Sequence, residues 1–127
     1  MPGGDMKVTV TGGAGYIGSQ LVPALLNHGH SVTVVDSFVY GQTSLLSHVI
    51  DRRLEVIKCD FRDFEKWSQQ LTHSDIVIPL AAIVGAPACQ QRPAEAEAVN
   101  LTATIELFRR ISTEQLVIMP TTNSAYG

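Results

Sequence analysis

The stretch that decides the fold is residues 7–36, KVTVTGGAGYIGSQLVPALLNHGHSVTVVD. Both of its ends are rich in β-branched residues and predict strands, while the segment between them carries apolar residues at helical spacing. A glycine-rich turn precedes the helix, and Gly29 is placed to end it in a left-handed conformation. The stretch therefore predicts one β-α-β unit of the kind that binds nucleotides.

The glycines of the turn allow two interpretations of the nucleotide-binding fingerprint. Gly13, Gly15 and Gly18 match GxGxxG, whereas Gly12, Gly15 and Gly18 give the wider GxxGxxG spacing, which we favour. Glycine at position 15 would let a pyrophosphate approach the backbone, and glycine at position 18 would let the helix lie close to the strand. The helix N-terminus would then hold the phosphates. A purely structural turn is the alternative, but the strand before it, the helix after it and Asp36 at the next strand's end favour a dinucleotide.

Asp36 bears on the choice of dinucleotide. Its carboxylate can accept hydrogen bonds from both ribose hydroxyls of NAD, but would repel the 2′-phosphate of NADP. No Arg or Lys lies between Ser37 and Asp51 to bind that phosphate. We therefore expect NAD as the cofactor.

Composition bounds the class of protein. The chain has 127 residues, of which 45% are hydrophobic and 17% charged, values typical of one globular domain. The net charge of −3 argues against a nucleic acid or an acidic membrane as partner. No apolar run reaches the roughly eighteen residues of a membrane span, and the opening MPGGD does not resemble a secretory leader. We expect a cytoplasmic protein, with residues 1–5 a flexible leader and residues 6–127 the cofactor-binding domain.

The rest of the chain alternates strands with helices. Strands are predicted over residues 54–58, 75–79 and 115–119, and helices up to Leu71 and over residues 94–111. With right-handed crossovers, the simplest arrangement is a doubly wound parallel α/β sheet in the order 3-2-1-4-5. Apolar spacing aims one face of the first helix at the sheet, with Pro23 expected to kink or distort that helix. The residues of that face are Ile17, Leu21, Ala24, Leu25 and His28.

Polar and small residues follow each strand, and in a parallel sheet these positions share one edge. Asp60 is either a ligand residue there or a helix N-cap, although Asp63 is the better cap candidate. Ser37 opens a loop that would border an adenosine, and the small residues of Leu80-Ala81-Ala82 would let another molecule lie against the backbone. Free thiols are the expected state of Cys59 and Cys89, and no histidine pair has metal-ligand spacing.

Taken with the TTNSAYG end at residues 121–127, the sequence resembles the NAD-dependent epimerase/dehydratase family of extended short-chain dehydrogenases/reductases, whose members act on nucleotide sugars. The resemblance covers residues 6–127, and its most specific motifs are TGGAGYIG and the Leu-Ala-Ala after the fourth strand. The resemblance implies an NAD-dependent enzyme that transiently oxidises a sugar carbon, such as an epimerase (an isomerase) or a dehydratase.

The resemblance also implies roles for individual residues. Gly12, Gly15 and Gly18 would form the pyrophosphate loop, with Tyr16 and Ile17 supplying backbone amides. Asp36 would bind the adenosine ribose, Asp60 and Phe61 the adenine edge, and Leu80, Ala81 and Ala82 would line the path toward the nicotinamide. Thr122, four residues before a Tyr-Gly pair, would be the catalytic hydroxyl, and Asn100 would tie its helix to the sheet.

The sequence departs from this family in one respect. No Tyr-x-x-x-Lys, the motif of the family's catalytic base, occurs among the 127 residues, and no sixth strand or sugar-nucleotide domain is predicted. We therefore expect a domain that is truncated relative to the family and binds NAD without turning over. A nucleotide-diphosphate sugar would be the substrate, and a homodimer the assembly, of the complete enzyme. A stand-alone NAD-binding or redox-sensing module is the alternative.

Overall fold

In the computed structural model, which describes residues 5–37, 48, 50–81 and 101–119, five parallel strands form one sheet. The strands are β1 (Lys7–Thr11), β2 (Ser31–Asp36), β3 (Leu54–Lys58), β4 (Ile76–Pro79) and β5 (Leu116–Val117). The helices are α1 (Tyr16–Asn27), α2 (Ser68–His73) and α3 (Ala103–Arg110), with a 3₁₀ turn at Phe64–Lys66.

The strand order is β3-β2-β1-β4-β5, which confirms the predicted doubly wound sheet. β1 lies at the centre: Val8 pairs in register with Val32 of β2 on one side and with Ile76 of β4 on the other. The chain thus builds outward from β1 in both directions. Such a reversal opens a crevice at the carboxyl ends of the central strands, which is where open α/β sheets bind ligands.

The sheet is covered on both faces, which explains its nearly unbroken β-branched strands. One core lies between α1 and the strands, and it comprises Val8, Val10, Ala14, Val22, Leu26, Val32, Val34 and Ile78. The second lies under α2 and α3, and it comprises Val35, Cys59, Phe61, Phe64, Trp67, Leu71, Val77, Ala103 and Leu107. Cys59 is a buried free thiol, as predicted, and burial raises its pKa.

The predicted buried face of α1 was wrong by one position along the helix. The residues that face the sheet are Gly18, Val22 and Leu26, whereas Ile17 is 54% exposed, Ala24 and His28 are also exposed, and Leu21 and Leu25 are only partly buried. The cause is Gly18, which packs directly on the turn and thereby fixes the rotation of the helix. α1 continues through Pro23, and Gly29 follows its end with the predicted positive φ, +90°.

The segment between β3 and β4 is a 3₁₀ turn followed by α2, not the single helix that was predicted. Asp63 precedes the turn but makes no side-chain capping hydrogen bond; its carboxylate lies 3.7 Å from Lys66 Nζ. Trp67 and Leu71 are core residues, as predicted, and the indole stacks on Phe64 with ring centroids 5.5 Å apart.

Strand β5 is shorter than predicted, and α3 buries Ala103 and Leu107 as the helical spacing requires. Cys89, Asn100 and the start of the predicted 94–111 helix lie outside the described residues. Within the described part of the chain, no helix has both the length and the apolar character needed to cross a membrane.

Candidate functional site

The predicted cofactor residues meet at the carboxyl edge of the sheet. Gly12 follows β1, Asp36 ends β2, Asp60 follows β3, and Ala81 follows β4. The four strands that carry these residues, β3, β2, β1 and β4, are neighbours in the sheet and include the point where the strand order reverses. The juxtaposition follows from strand order and parallel direction alone, as the sequence predicted.

Gly12 brings the turn against the end of β4. Its φ is +71°, and a Cβ at this position would lie 2.7 Å from Ala81 N. Its own N–H donates to Val35 O at 2.7 Å, which ties the turn to β2. Both the backbone conformation and the contact therefore require glycine here.

Gly18 brings α1 onto the turn. A Cβ at Gly18 would lie 2.1 Å from the carbonyl oxygen of Gly13, a distance at which backbone would have to move. A Cβ at Gly13 would in turn lie 2.9 Å from Val34 Cγ1. Gly18 thus has the close-packing role that was predicted, and Gly13 is fixed by packing on β2.

Gly15 differs from these glycines. It precedes α1 with φ −78° and ψ −170°, values open to any residue. A Cβ would meet only Gly12 O, at the ordinary contact distance of 3.4 Å. No contact with a described residue requires glycine at this position, in contrast to Gly12 and Gly18.

The N-terminus of α1 offers hydrogen-bond donors at this same place. The helical bonds begin with Ser19 N, which donates to Gly15 O at 2.8 Å. Among the described residues, the N–H groups of Tyr16, Ile17 and Gly18 find no acceptor. Tyr16 is 85% exposed, so the start of this 12-residue helix is open. Its dipole and free donors together favour an anion.

Asp36 lies beside the turn rather than in solvent. It is 7% exposed, and its Oδ2 accepts a hydrogen bond of 3.0 Å from Ala14 N. The carboxylate is therefore held next to the glycines at the end of β2, while Ser37 after it is exposed.

Asp60 is held by Arg62. The guanidinium Nε lies 2.9 Å from Oδ1 and 3.0 Å from Oδ2, Nη2 also contacts Oδ2, and Arg62 N donates to Oδ1 at 2.9 Å. These bonds hold the pKa of Asp60 below its usual range, so the group is an anion at neutral pH. The side chain makes an Asx turn here, not a helix cap.

Phe61 has a buried side chain, and its carbonyl accepts a 2.9 Å hydrogen bond from the Trp67 indole. Its N–H has no acceptor within the described residues. A backbone donor thus stands next to the Asp60 carboxylate at the same edge.

The end of β4 is fastened to β1. Leu80 N donates to Thr11 O at 2.8 Å, and Ala81 N lies 3.3 Å from the buried Thr11 hydroxyl oxygen. Leu80 and Ala81 therefore lie against the end of β1 and against Gly12 of the turn. Their predicted place on the path toward the nicotinamide stays a prediction. Ala82 and Thr122 lie outside the described residues, and in the described part no group of three His, Cys, Asp or Glu could hold a metal ion.

The sequence did not single out Ala14 or Arg62, and it named Gly13 only in the GxGxxG interpretation that was not favoured. Ala14 contributes through its backbone N–H, which leaves no trace in residue type. Arg62 could have been found, because an Arg two residues after an Asp can close a turn onto that carboxylate.

The chain as a whole is similar to known proteins. The model of the NAD dependent epimerase/dehydratase family matches residues 8–127. A UDP-N-acetyl-alpha-D-glucosaminuronate decarboxylase from Bacillus cytotoxicus is 30% identical over 95% of the chain, and mouse UDP-glucose 4-epimerase is 35% identical over 80%.

The fold is shared with solved epimerases. A UDP-N-acetylglucosamine 4-epimerase from Methanobrevibacter ruminantium, solved with UDP-N-acetylmuramic acid, superposes with a TM-score of 0.85 at 31% identity over 97% of this chain. A UDP-glucose-4-epimerase from Stenotrophomonas maltophila, solved with bound NAD and formylated UDP-arabinopyranose, has a TM-score of 0.81 at 28% identity over 96%. The chain spans only part of the length of these relatives: 38% of the decarboxylase and 33% of the mouse enzyme. It spans 40% of the Methanobrevibacter epimerase and 38% of the Stenotrophomonas epimerase. It belongs to the NAD dependent epimerase/dehydratase family.

Proposed function

We propose that this chain binds NAD along the carboxyl edge of its sheet, as the cofactor-binding part of a nucleotide-sugar epimerase, decarboxylase or dehydratase. The observation that carries the proposal is the space at Gly15 in front of the open N-terminus of α1. Glycine is present there although no described protein atom requires it. The N–H groups of Tyr16, Ile17 and Gly18, which find no acceptor in the described part of the chain, border the same place.

The pyrophosphate of NAD fits this place. In the proposal it lies against Gly12 and Gly15 and accepts hydrogen bonds from the N–H groups of Tyr16 and Ile17. Gly18 contributes indirectly, by allowing the helix start to come close. The positive end of the helix dipole stabilises the phosphate charge.

The adenosine half would lie across β2 and β3. The Asp36 carboxylate would accept hydrogen bonds from the ribose hydroxyls, with Ser37 beside it, and would repel a 2′-phosphate. The free Phe61 N–H can donate to a ring nitrogen of adenine, while the Asp60 carboxylate can accept from the exocyclic amino group. A donor and an acceptor on adjacent residues would suit the adenine edge, which presents a ring nitrogen next to an amino group.

The nicotinamide half would lie toward β4, along Leu80, Ala81 and Ala82. Thr122, carried over from the family motif, would bind the sugar oxygen at the reacting carbon. Bound NAD supplies reversible hydride transfer, which in this family's chemistry serves to oxidise a sugar carbon and then reduce the product. The similar enzymes named above are described with UDP sugars, and a nucleotide-diphosphate sugar is accordingly the proposed substrate class.

A stand-alone NAD-binding module is the second candidate. In either case the 127-residue chain should bind NAD. The intact mass of the protein from its natural source separates the two, since an enzyme of this family's length would exceed 13.7 kDa more than twofold. A cytoplasmic location and a homodimer remain predictions for the complete protein.

Calorimetric titration of the purified chain tests cofactor binding directly. We expect saturable binding of NAD and at least about tenfold weaker binding of NADP, corresponding to about 1.4 kcal/mol of charge repulsion at Asp36. Equal affinity for the two dinucleotides would refute the ribose assignment. No binding of either by the folded chain would refute the proposed site.

A further inference from the structure

Asp36 has a contact that ribose binding does not explain. Its side chain is buried at 7% exposure, and its Oδ2 accepts the 3.0 Å hydrogen bond from Ala14 N. Ala14 lies in the glycine turn, between Gly13 and Gly15, 22 residues before Asp36. A charged side chain at the end of one strand therefore holds the backbone of the turn that follows another.

Two backbone hydrogen bonds next to this contact also end on residues of β2. Gly12 N donates to Val35 O at 2.7 Å, and Cys59 N donates to Asp36 O at 3.1 Å. Three hydrogen bonds thus join the turn, the end of β2 and the residue before Asp60. Of the three acceptors, only the Asp36 carboxylate is charged, and a charged acceptor makes a hydrogen bond about twice as strong as a neutral one.

We propose that Asp36 is a positioning residue for the glycine turn: its carboxylate orders the phosphate-binding backbone through Ala14 N before any cofactor is present. A glycine-rich turn has more conformational freedom than other sequences, so it needs such a restraint to keep its donors aimed at one place. The contact itself joins two groups of the protein. Only its consequence for NAD rests on the proposed function.

That consequence is a coupling between two parts of the cofactor. The same carboxylate that would receive the ribose hydroxyls also holds the turn that would receive the pyrophosphate. Removing it to admit a 2′-phosphate would therefore weaken phosphate binding as well. Replacements that keep an oxygen acceptor within reach of Ala14 N should change cofactor preference at a smaller loss of total affinity.

Amide hydrogen exchange in the cofactor-free protein tests the proposal without relying on NAD. The amide of Ala14 is followed by NMR in the wild type, in Asp36→Ala, which removes the acceptor, and in Asp36→Asn, which keeps a neutral one. Ser37→Ala, at the exposed neighbouring position, is the matched control. Amides of β1, such as that of Val10, report whether the sheet itself remains folded.

We expect Ala14 exchange to rise about tenfold or more in Asp36→Ala, by a smaller factor in Asp36→Asn, and not at all in Ser37→Ala. Unchanged Ala14 exchange in a folded Asp36→Ala would overturn the proposal. If Asp36→Ala loses the sheet, the Asn variant decides, because its Ala14 amide should exchange faster than that of the wild type while β1 stays protected. An Asn variant identical to the wild type would then refute the role.

Discussion

Replacing Gly15 and Gly18 separately by alanine should separate ligand binding from packing within one turn. The two residues are three apart, and each substitution adds the same single methyl group. At Gly18 the new Cβ would lie 2.1 Å from Gly13 O and 2.4 Å from Gly13 C, so backbone must shift. At Gly15 the nearest atom would be Gly12 O at 3.4 Å, where nothing needs to move.

The magnitudes follow from these distances. Forcing an extra carbon into a packed site costs about 1–3 kcal/mol, so Gly18→Ala should lose about that much stability. Gly15→Ala should change stability by no more than about 1 kcal/mol in either direction, since reduced chain entropy opposes the poorer N-cap preference of alanine. Its methyl group would instead occupy the proposed pyrophosphate space, and we expect NAD affinity to fall at least about tenfold, or about 1.4 kcal/mol.

Urea unfolding followed by Trp67 fluorescence, together with NAD titration of each folded variant, measures both quantities. With a slope of about 1–3 kcal/mol per molar urea, a loss of about 2 kcal/mol lowers the midpoint by about 1 M. The reasoning fails if Gly15→Ala loses as much stability as Gly18→Ala. It also fails if Gly15→Ala binds NAD like the wild type, because the space beside that glycine would then have no ligand.

Two further predictions concern the adenine side of the edge. Because Arg62 lowers the pKa of Asp60, the folded state gains stability above the ordinary carboxyl pKa of about 4 and loses it as pH falls through the lower folded value. Arg62→Gln should therefore reduce the fall of the urea midpoint at acid pH. The change should be modest because the Asp60 side chain is 38% exposed. A pH profile equal to that of the wild type would contradict the role of Arg62 in lowering the pKa of Asp60. Trp67→Phe keeps an aromatic ring against Phe64 but leaves Phe61 O without its indole donor, which should cost about 1–3 kcal/mol of stability. Because this variant lacks the chain's single tryptophan, its urea unfolding and that of the wild type are followed by circular dichroism. A midpoint equal to that of the wild type would show that the indole hydrogen bond contributes nothing.

The strand order and the shared edge of the candidate residues were predictable because both depend on patterns that survive in a single sequence. β-branched runs mark buried parallel strands, and the direction of each crossover then determines their order. Once the order is known, every residue just after a strand falls on the same edge. Asp36, Asp60 and Ala81 could therefore be brought together with no knowledge of their side-chain contacts.

The contacts themselves were not predictable, because they depend on backbone groups and on the rotation of one helix. The apolar residues of α1 cover more than half of its circumference, so their spacing alone permits several rotations, and the one that was chosen buried Ile17 instead of Val22. The sequence did contain the deciding constraint. A glycine at position 18 that lies against the turn requires positions 22 and 26, one and two turns later, to face the sheet with it. Close packing by a single glycine thus determines the buried face of α1 and brings the start of the helix against the turn.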